Sequence, residues 1–203
     1  MRLIAGIAAA LALAACGGAR AGETSPGTGP LRLPADERPA KIGRGAGFRP
    51  APLSAAVVRA EPVGGLRCTR AADASYGVHL ELYAHRLVVP VPSGIGVAPP
   101  QRRRGVYVLG GRCVYPLRTT EPTGVVVVQR GRVPSLGELF AIWGQPLSGH
   151  ALASFRGGVS AYVGGRRWTG PPATIPLRRH AEIVLEIEGA VLPHPAYRFP
   201  PGL

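Results

Sequence analysis

A histidine and a glutamate two residues apart, His79 and Glu81, lie in the run Val78-His79-Leu80-Glu81-Leu82-Tyr83. On an extended chain that spacing puts both side chains on one face. A His-x-Glu pair can supply two ligands to a metal such as zinc. The remaining ligands must come from elsewhere, and His180 and His194 are the candidates, with Glu182 beside the first. The competing reading is that His79 and His180 bond main-chain groups at the ends of a sheet. A metal is the one cofactor these residues point to. His85 shares the parity of His79, but a turn at Ala84-His85 interrupts the register. A second chemistry is anion binding, by Arg102-Arg103-Arg104 with Arg178-Arg179, and the plain alternative is a pair of solvated loops. Nucleophilic catalysis finds no Gly-x-Ser-x-Gly elbow. Ser148-Gly149-His150 places a hydroxyl near an imidazole in sequence, which is not triad geometry. Carboxylates for acid–base work are Glu81, Glu121, Glu138, Glu182, Glu186 and Glu188. Glu138 is better used to cap a helix, and the last three fall on one strand face expected to be solvated. No Gly-rich phosphate loop follows a strand and opens a helix. These residues therefore read as a protein without a catalytic motif.

The strands that must carry these groups are marked by period-two alternation. Val78, Leu80 and Leu82 alternate with His79, Glu81 and Tyr83, and a second strand runs from Arg86 to Val91. Gln101 to Gly105 reads as a basic loop, and Val106 to Leu109 with Cys113 to Leu117 as a hairpin around Gly110-Gly111. Gly124 to Gln129 is a buried strand. Ser135 with Glu138 makes a capping box. Leu136, Leu139, Phe140 and Trp143 then form one apolar helical stripe, stopped by Gly144. Gly164-Gly165 joins Val159 to Val163 with Arg166 to Thr169, a strong hairpin signal. Ile175-Pro176-Leu177 reads as a corner. Ala181, Ile183, Leu185 and Ile187 mark a last strand, and the Pro-rich end with Tyr197 and Phe199 an extended strap. One helix against such strands is an α+β fold, a mostly antiparallel or mixed sheet arranged as a β-grasp-like roll, with a small β-sandwich as the alternative.

The chain has 203 residues and a formal net charge of +13. Lys41 is the only lysine, and the Arg bias accompanies abundant Ala, Gly and Pro. That pattern follows from a high-GC genome and weakens any argument that Arg was chosen for phosphate. A basic surface still suits an anionic membrane or an acidic polymer. No aromatic-rich binding motif supports nucleic acid as a partner. From Gly17 to about Pro52 apolar residues are few and without period, which is the composition of a tether. The expected organisation is a removed leader at 1–15, a tether at 16–64 whose stretch 17–64 has a reach of roughly 40 Å, and one domain at 65–203, with a soft boundary at which Leu53 to Val58 add a strand or pack on the domain.

The leader is read from Arg2, an apolar run from Leu3 to Ala15, and Leu13-Ala14-Ala15-Cys16. The run is shorter than the about 20 residues a bilayer span needs. Leu-Ala-Ala-Cys resembles the lipobox of bacterial lipoproteins. The resemblance implies cleavage before Cys16 and acylation of its thiol and new amino terminus, with palmitate-class chains that hold the protein stably on a membrane. Of three cysteines, Cys68 and Cys113 then remain. Export favours a disulfide between them; the alternative is a reactive thiol near a histidine.

The stretches His79-Leu80-Glu81-Leu82, Val91-Pro92-Ser93-Gly94-Ile95-Gly96, Tyr115-Pro116-Leu117-Arg118-Thr119-Thr120-Glu121-Pro122-Thr123-Gly124 and Leu136-Gly137-Glu138-Leu139-Phe140-Ala141-Ile142-Trp143-Gly144 resemble a set of uncharacterised envelope lipoproteins of high-GC bacteria. So does the ending Pro193-His194-Pro195-Ala196-Tyr197-Arg198-Phe199-Pro200-Pro201-Gly202. The similarity covers roughly 66–203 and implies an extracytoplasmic address without naming an activity. A more distant His-rich type carries His-Thr-His-Asp where this chain has Arg118-Thr119-Thr120-Glu121, and a further His near Val128; only His79 is comparable. The expectation is a lipid-anchored, non-catalytic binding or structural module of the cell envelope. Its partners are the bilayer through acylated Cys16, and an envelope protein or anionic polymer. A metal-binding domain and a cell-wall hydrolase are the alternatives.

Overall fold

Apolar alternation in Val78, Leu80 and Leu82 builds the central strand, β1 (Ser75–Ala84), and all three are at most 1% exposed. A computed structural model describes residues 53–70, 75–191 and 196–203. Its elements in chain order are α1 (Ala55–Arg59), β1, β2 (Leu87–Val88), β3 (Arg102–Arg104), β4 (Tyr107–Gly110), β5 (Leu117–Arg118), β6 (Val125–Gln129), α2 (Leu136–Trp143), β7 (Leu147–Ser148), β8 (Ala151–Leu152), β9 (Phe155–Arg156), β10 (Val159–Val163), β11 (Arg166–Arg167), a 3-10 turn at Pro172–Thr174, and β12 (Glu182–Ile187).

The main sheet runs β11-β10-β12-β1-β6-β5, with β2 also paired to β1. β1 and β12 are parallel neighbours at its centre, in register His79–Glu182 through Ala84–Ile187. Their outer neighbours β6 and β10 are antiparallel to them. The fold is α+β, and the core order β6-β1-β12-β10-β11, with α2 between β6 and β10 in the chain, is the β-grasp arrangement. Leu136, Leu139, Phe140, Ile142 and Trp143 of α2 join Leu80, Leu82, Val126, Ile183 and Leu185 in one apolar core. Among the described residues no helix is long and apolar enough to cross a membrane.

Local chemistry explains the better-defined corners. Ser135 Oγ accepts from Glu138 N while Glu138 Oε2 accepts from Ser135 N at 2.7 Å, so two of the four orphan amides of the helix start are bonded reciprocally. Arg132 then clamps Glu138 with two bonds of 2.7 and 3.0 Å, and this pairing holds the carboxyl below its ordinary value. Gly164 and Gly165 both have positive φ, 54° and 72°, which closes the β10–β11 hairpin with the twist such two-residue turns require.

Five expectations are corrected. The packed region starts before 65: Ser54 caps α1, Val57 is fully buried, and Tyr115 OH bonds the Glu61 carbonyl, so residues 53–63 belong to the domain and not to a tether. The basic run Arg102–Arg104 is a strand, not a loop, and its partner is β4. Cys113 and Val114 cannot pair with β4, because Ala98 N donates to Cys113 O and Val97 bridges Val114. The segment after Ala84 is strand only at Leu87–Val88, since His85 and Arg86 both take positive φ in the turn and Val91 leads into the Pro92-Ser93 bend. Finally, the glutamates of β12 do not share a solvated face: Glu186 is 2% exposed, and its Oε1 accepts from Val191 N at 2.8 Å where the chain folds back.

Cys68 and Cys113 are joined by a disulfide with a Cα–Cα distance of 5.5 Å. Beside it Thr69 and Val114 exchange two main-chain hydrogen bonds.

Candidate functional site

The strand alternation of β1 presents His79, Glu81 and Tyr83 on the face opposite the core, and the C-terminal strap covers that face. His79 is only 7% exposed. Tyr197 stacks on its ring at 3.8 Å, with the two planes 11° apart. Its Nε2 lies 3.1 Å from the Thr123 carbonyl, which can only accept, so Nε2 carries a proton and donates. Nδ1 lies 3.7 Å from Glu81 Oε1, and Tyr83 OH donates to Glu81 Oε2 at 2.9 Å. Burial lowers the His79 pKa and outweighs the opposing pull of Glu81, the Thr123 carbonyl and Glu182. The ring is therefore neutral at pH 7. Burial, helped by the bond to Glu81, drives the Tyr83 phenol far up from its usual range.

The same strap engages His180. Phe199 stacks on it at 4.5 Å, and its Nε2 is 2.7 Å from the Leu203 main-chain oxygen. Phe199 reaches this position because residue 77 is glycine: a Cβ there would lie 2.8 Å from the Phe199 ring. Glu182 Oε1 accepts from Tyr197 N at 3.0 Å. His79, His180 and Glu182 thus hold the strap to the sheet, and Glu81 backs His79 from the same strand. His194 lies outside the described residues. Among the described residues no group of three or more His, Cys, Asp and Glu is placed to hold a metal. His85 pairs with Glu188 at 3.2 Å, and Ser148 Oγ accepts from His150 N rather than facing its ring.

The two arginine runs sit on separate elements. Arg102, Arg103 and Arg104 are exposed on β3, where Arg103 bonds the Ser93 hydroxyl and Gln101. Arg178 and Arg179 are exposed in the turn before β12, and Arg179 reaches the Leu203 oxygen at 3.5 Å.

A different basic cluster forms at the disulfide. A cavity of about 290 Å³ is lined by Arg70, Arg102 and Arg118, with Val108, Cys113 and Thr120 among the other walls. Arg118, on the short edge strand β5, has a shielded Nη1 without a hydrogen-bond partner among the described residues. Burial pulls its pKa down from the ordinary guanidinium value. Sequence inspection misses this cluster because its arginines come from three segments. The one available signal is that Arg70 follows a cysteine by two residues and Arg118 follows the other by five.

Cys16 lies outside the described residues. Comparison with protein-family models, with curated proteins and with solved structures finds no match to this chain.

Proposed function

We propose that the chain is an exported lipoprotein of the bacterial cell envelope, anchored through acylated Cys16, and that its folded domain is a non-catalytic binding or structural module. The observation that carries the reading is the Cys68–Cys113 disulfide. It accounts for two of the three cysteines, fits an oxidising compartment, and leaves the lipobox cysteine as the one thiol for lipid. The non-catalytic part is supported at His79. Its ring is covered by Tyr197, its Nε2–H is held by a carbonyl, and Glu81 is occupied by Tyr83. Those groups do structural work and present no open position to a substrate.

Metabolic labelling with radioactive palmitate tests the anchor. The wild-type chain should take up label and sediment with membranes. The Cys16→Ser chain should take up none and should appear in the soluble extracytoplasmic fraction. Label that persists in Cys16→Ser, or equal membrane retention of both forms, overturns the reading.

A further inference from the structure

Three arginines line one cavity without a described carboxylate in its wall. Arg70 arrives from the segment after Cys68, Arg102 from β3 and Arg118 from β5. The segments holding them are tied by a disulfide, main-chain hydrogen bonds and strand pairing. The disulfide ties the Arg70 segment to Cys113, and the Thr69–Val114 pair of hydrogen bonds, 2.9 and 2.8 Å, fixes its register. β5 is locked to β6 through Leu117–Val128 and Arg118–Val127. Arg102 lies directly over Gly110, where a side chain would collide with its guanidinium.

Like charges gathered in one wall repel, and a shielded cationic nitrogen without an acceptor is costly. By contrast, Arg59 and Arg132 lie exposed and are paired, with Glu61 and Glu138. Among the described residues no Asp or Glu lines the cavity. An anion bound in the cavity would supply such an acceptor. A carboxylate would answer one of the three cations, whereas a phosphoryl group offers several oxygens and up to two charges, and guanidinium is well matched to it. The volume exceeds what inorganic phosphate fills and lies near the lower end of small-molecule sites. The rim supplies an apolar surface for the rest of such a ligand: Leu109 lines the cavity and is 62% exposed, with Tyr107 and Val106 beside it on the same ribbon.

We infer that this cavity is a binding site for a phosphorylated small molecule or headgroup, with the half-buried Arg118 as its anchor and Arg70 and Arg102 closing over the phosphoryl oxygens. The inference deepens the reading of the domain as a binding module and names its ligand class. The phosphoryl group can come from an anionic lipid headgroup or from a soluble phosphomonoester.

Calorimetric titration of the full chain carrying Cys16→Ser, so that acyl chains play no part, tests the site with inorganic phosphate and glycerol 3-phosphate. Saturable binding should appear and should be weakened at least tenfold in Arg118→Met and in Arg70→Gln. The double variant Arg166→Gln/Arg167→Gln, exposed on β11, should bind as the parent does. Each ligand should raise the melting temperature of the parent, and Arg118→Met should remove that rise without lowering the ligand-free value. Should Arg118→Met fail to fold, the exposed Arg70→Gln carries the test alone. Vesicles of phosphatidylglycerol against phosphatidylcholine distinguish the two sources. Binding to the former, displaced by glycerol 3-phosphate, assigns a headgroup; binding of the free esters alone assigns a soluble ligand. No saturable binding of either phosphate or ester at about 10 mM, where even weak millimolar sites fill, overturns the proposal, as does equal affinity in Arg70→Gln. Because the titration ignores the anchor, its outcome is separate from that of the palmitate experiment.

Discussion

The strap-covered face of β1 and the disulfide corner treat buried polar groups in opposite ways. At the first, His79, Glu81, Tyr83 and Glu182 are matched among themselves, with Thr123 and with the strap. At the second, Arg118 keeps a shielded nitrogen unmatched beside two further arginines. The first region holds the residue types that most resemble catalytic or metal-binding groups, yet they fasten one piece of chain to another. The second holds residues that pass for surface charge, yet it is the one left with an unmet demand. Residue type is a weaker guide to function here than hydrogen-bond satisfaction, because burial makes an unmatched polar group expensive whatever its identity.

Breaking the corner at its covalent tie should have the largest effect. The double change Cys68→Ala/Cys113→Ala opens a loop spanning 45 residues and should cost about 4 kcal/mol in a urea denaturation series. A midpoint unmoved by the change, or by reductant, would mean that the corner is held by its hydrogen bonds alone. Next comes His79→Ala. It removes the stack under Tyr197 and leaves the Thr123 carbonyl and Glu81 with one partner fewer, a loss of about 1–3 kcal/mol by the same assay. It should also raise hydrogen exchange at Tyr197 and Glu182.

His79 also gives that face a pH dependence of known sign. Its folded pKa lies below the ordinary value of 6.5, so the unfolded chain takes up a proton first as pH falls. Stability is full above about 6.5 and declines through the interval down to the lowered pKa. Melting temperatures measured from pH 7.5 to 5 should fall in the parent and fall less steeply in His79→Gln. Parallel curves would show that another group controls the slope. The smallest effect belongs to Arg118→Met in the absence of ligand. Replacing an unmatched, largely desolvated cation with an apolar side chain should change stability by about zero or in the favourable direction. A loss as large as that of His79→Ala would abolish the contrast between the two regions.

Parts of this arrangement are readable without coordinates. The Ser135–Glu138 capping box, the Gly164-Gly165 turn and the alternation of β1 are local signals, and each produces the element it announces. The disulfide matches what the cysteine count and the expected export predict. What is not legible depends on distant partners. Arg102–Arg104 has no apolar alternation, and only pairing with Tyr107–Gly110 makes it a strand. Glu186 has a surface residue's type, and its burial follows from Val191 folding back over it. The stack of Tyr197 on His79 joins residues far apart in the chain, which no spacing rule anticipates. The arginine cavity is hidden for the same reason.

The parallel pairing of β1 with β12 has a consequence for biosynthesis. The two middle strands of the sheet are the first and the last to be made, with His79 opposite Glu182. A chain growing from its amino end therefore has no native neighbour for one edge of β1 until Ile187 has emerged, and the delay grows with the sequence separation. Truncation anywhere before Glu182 removes the middle of the sheet rather than its margin. Such products should stay unfolded and expose Leu80 and Leu82 to aggregation or proteolysis.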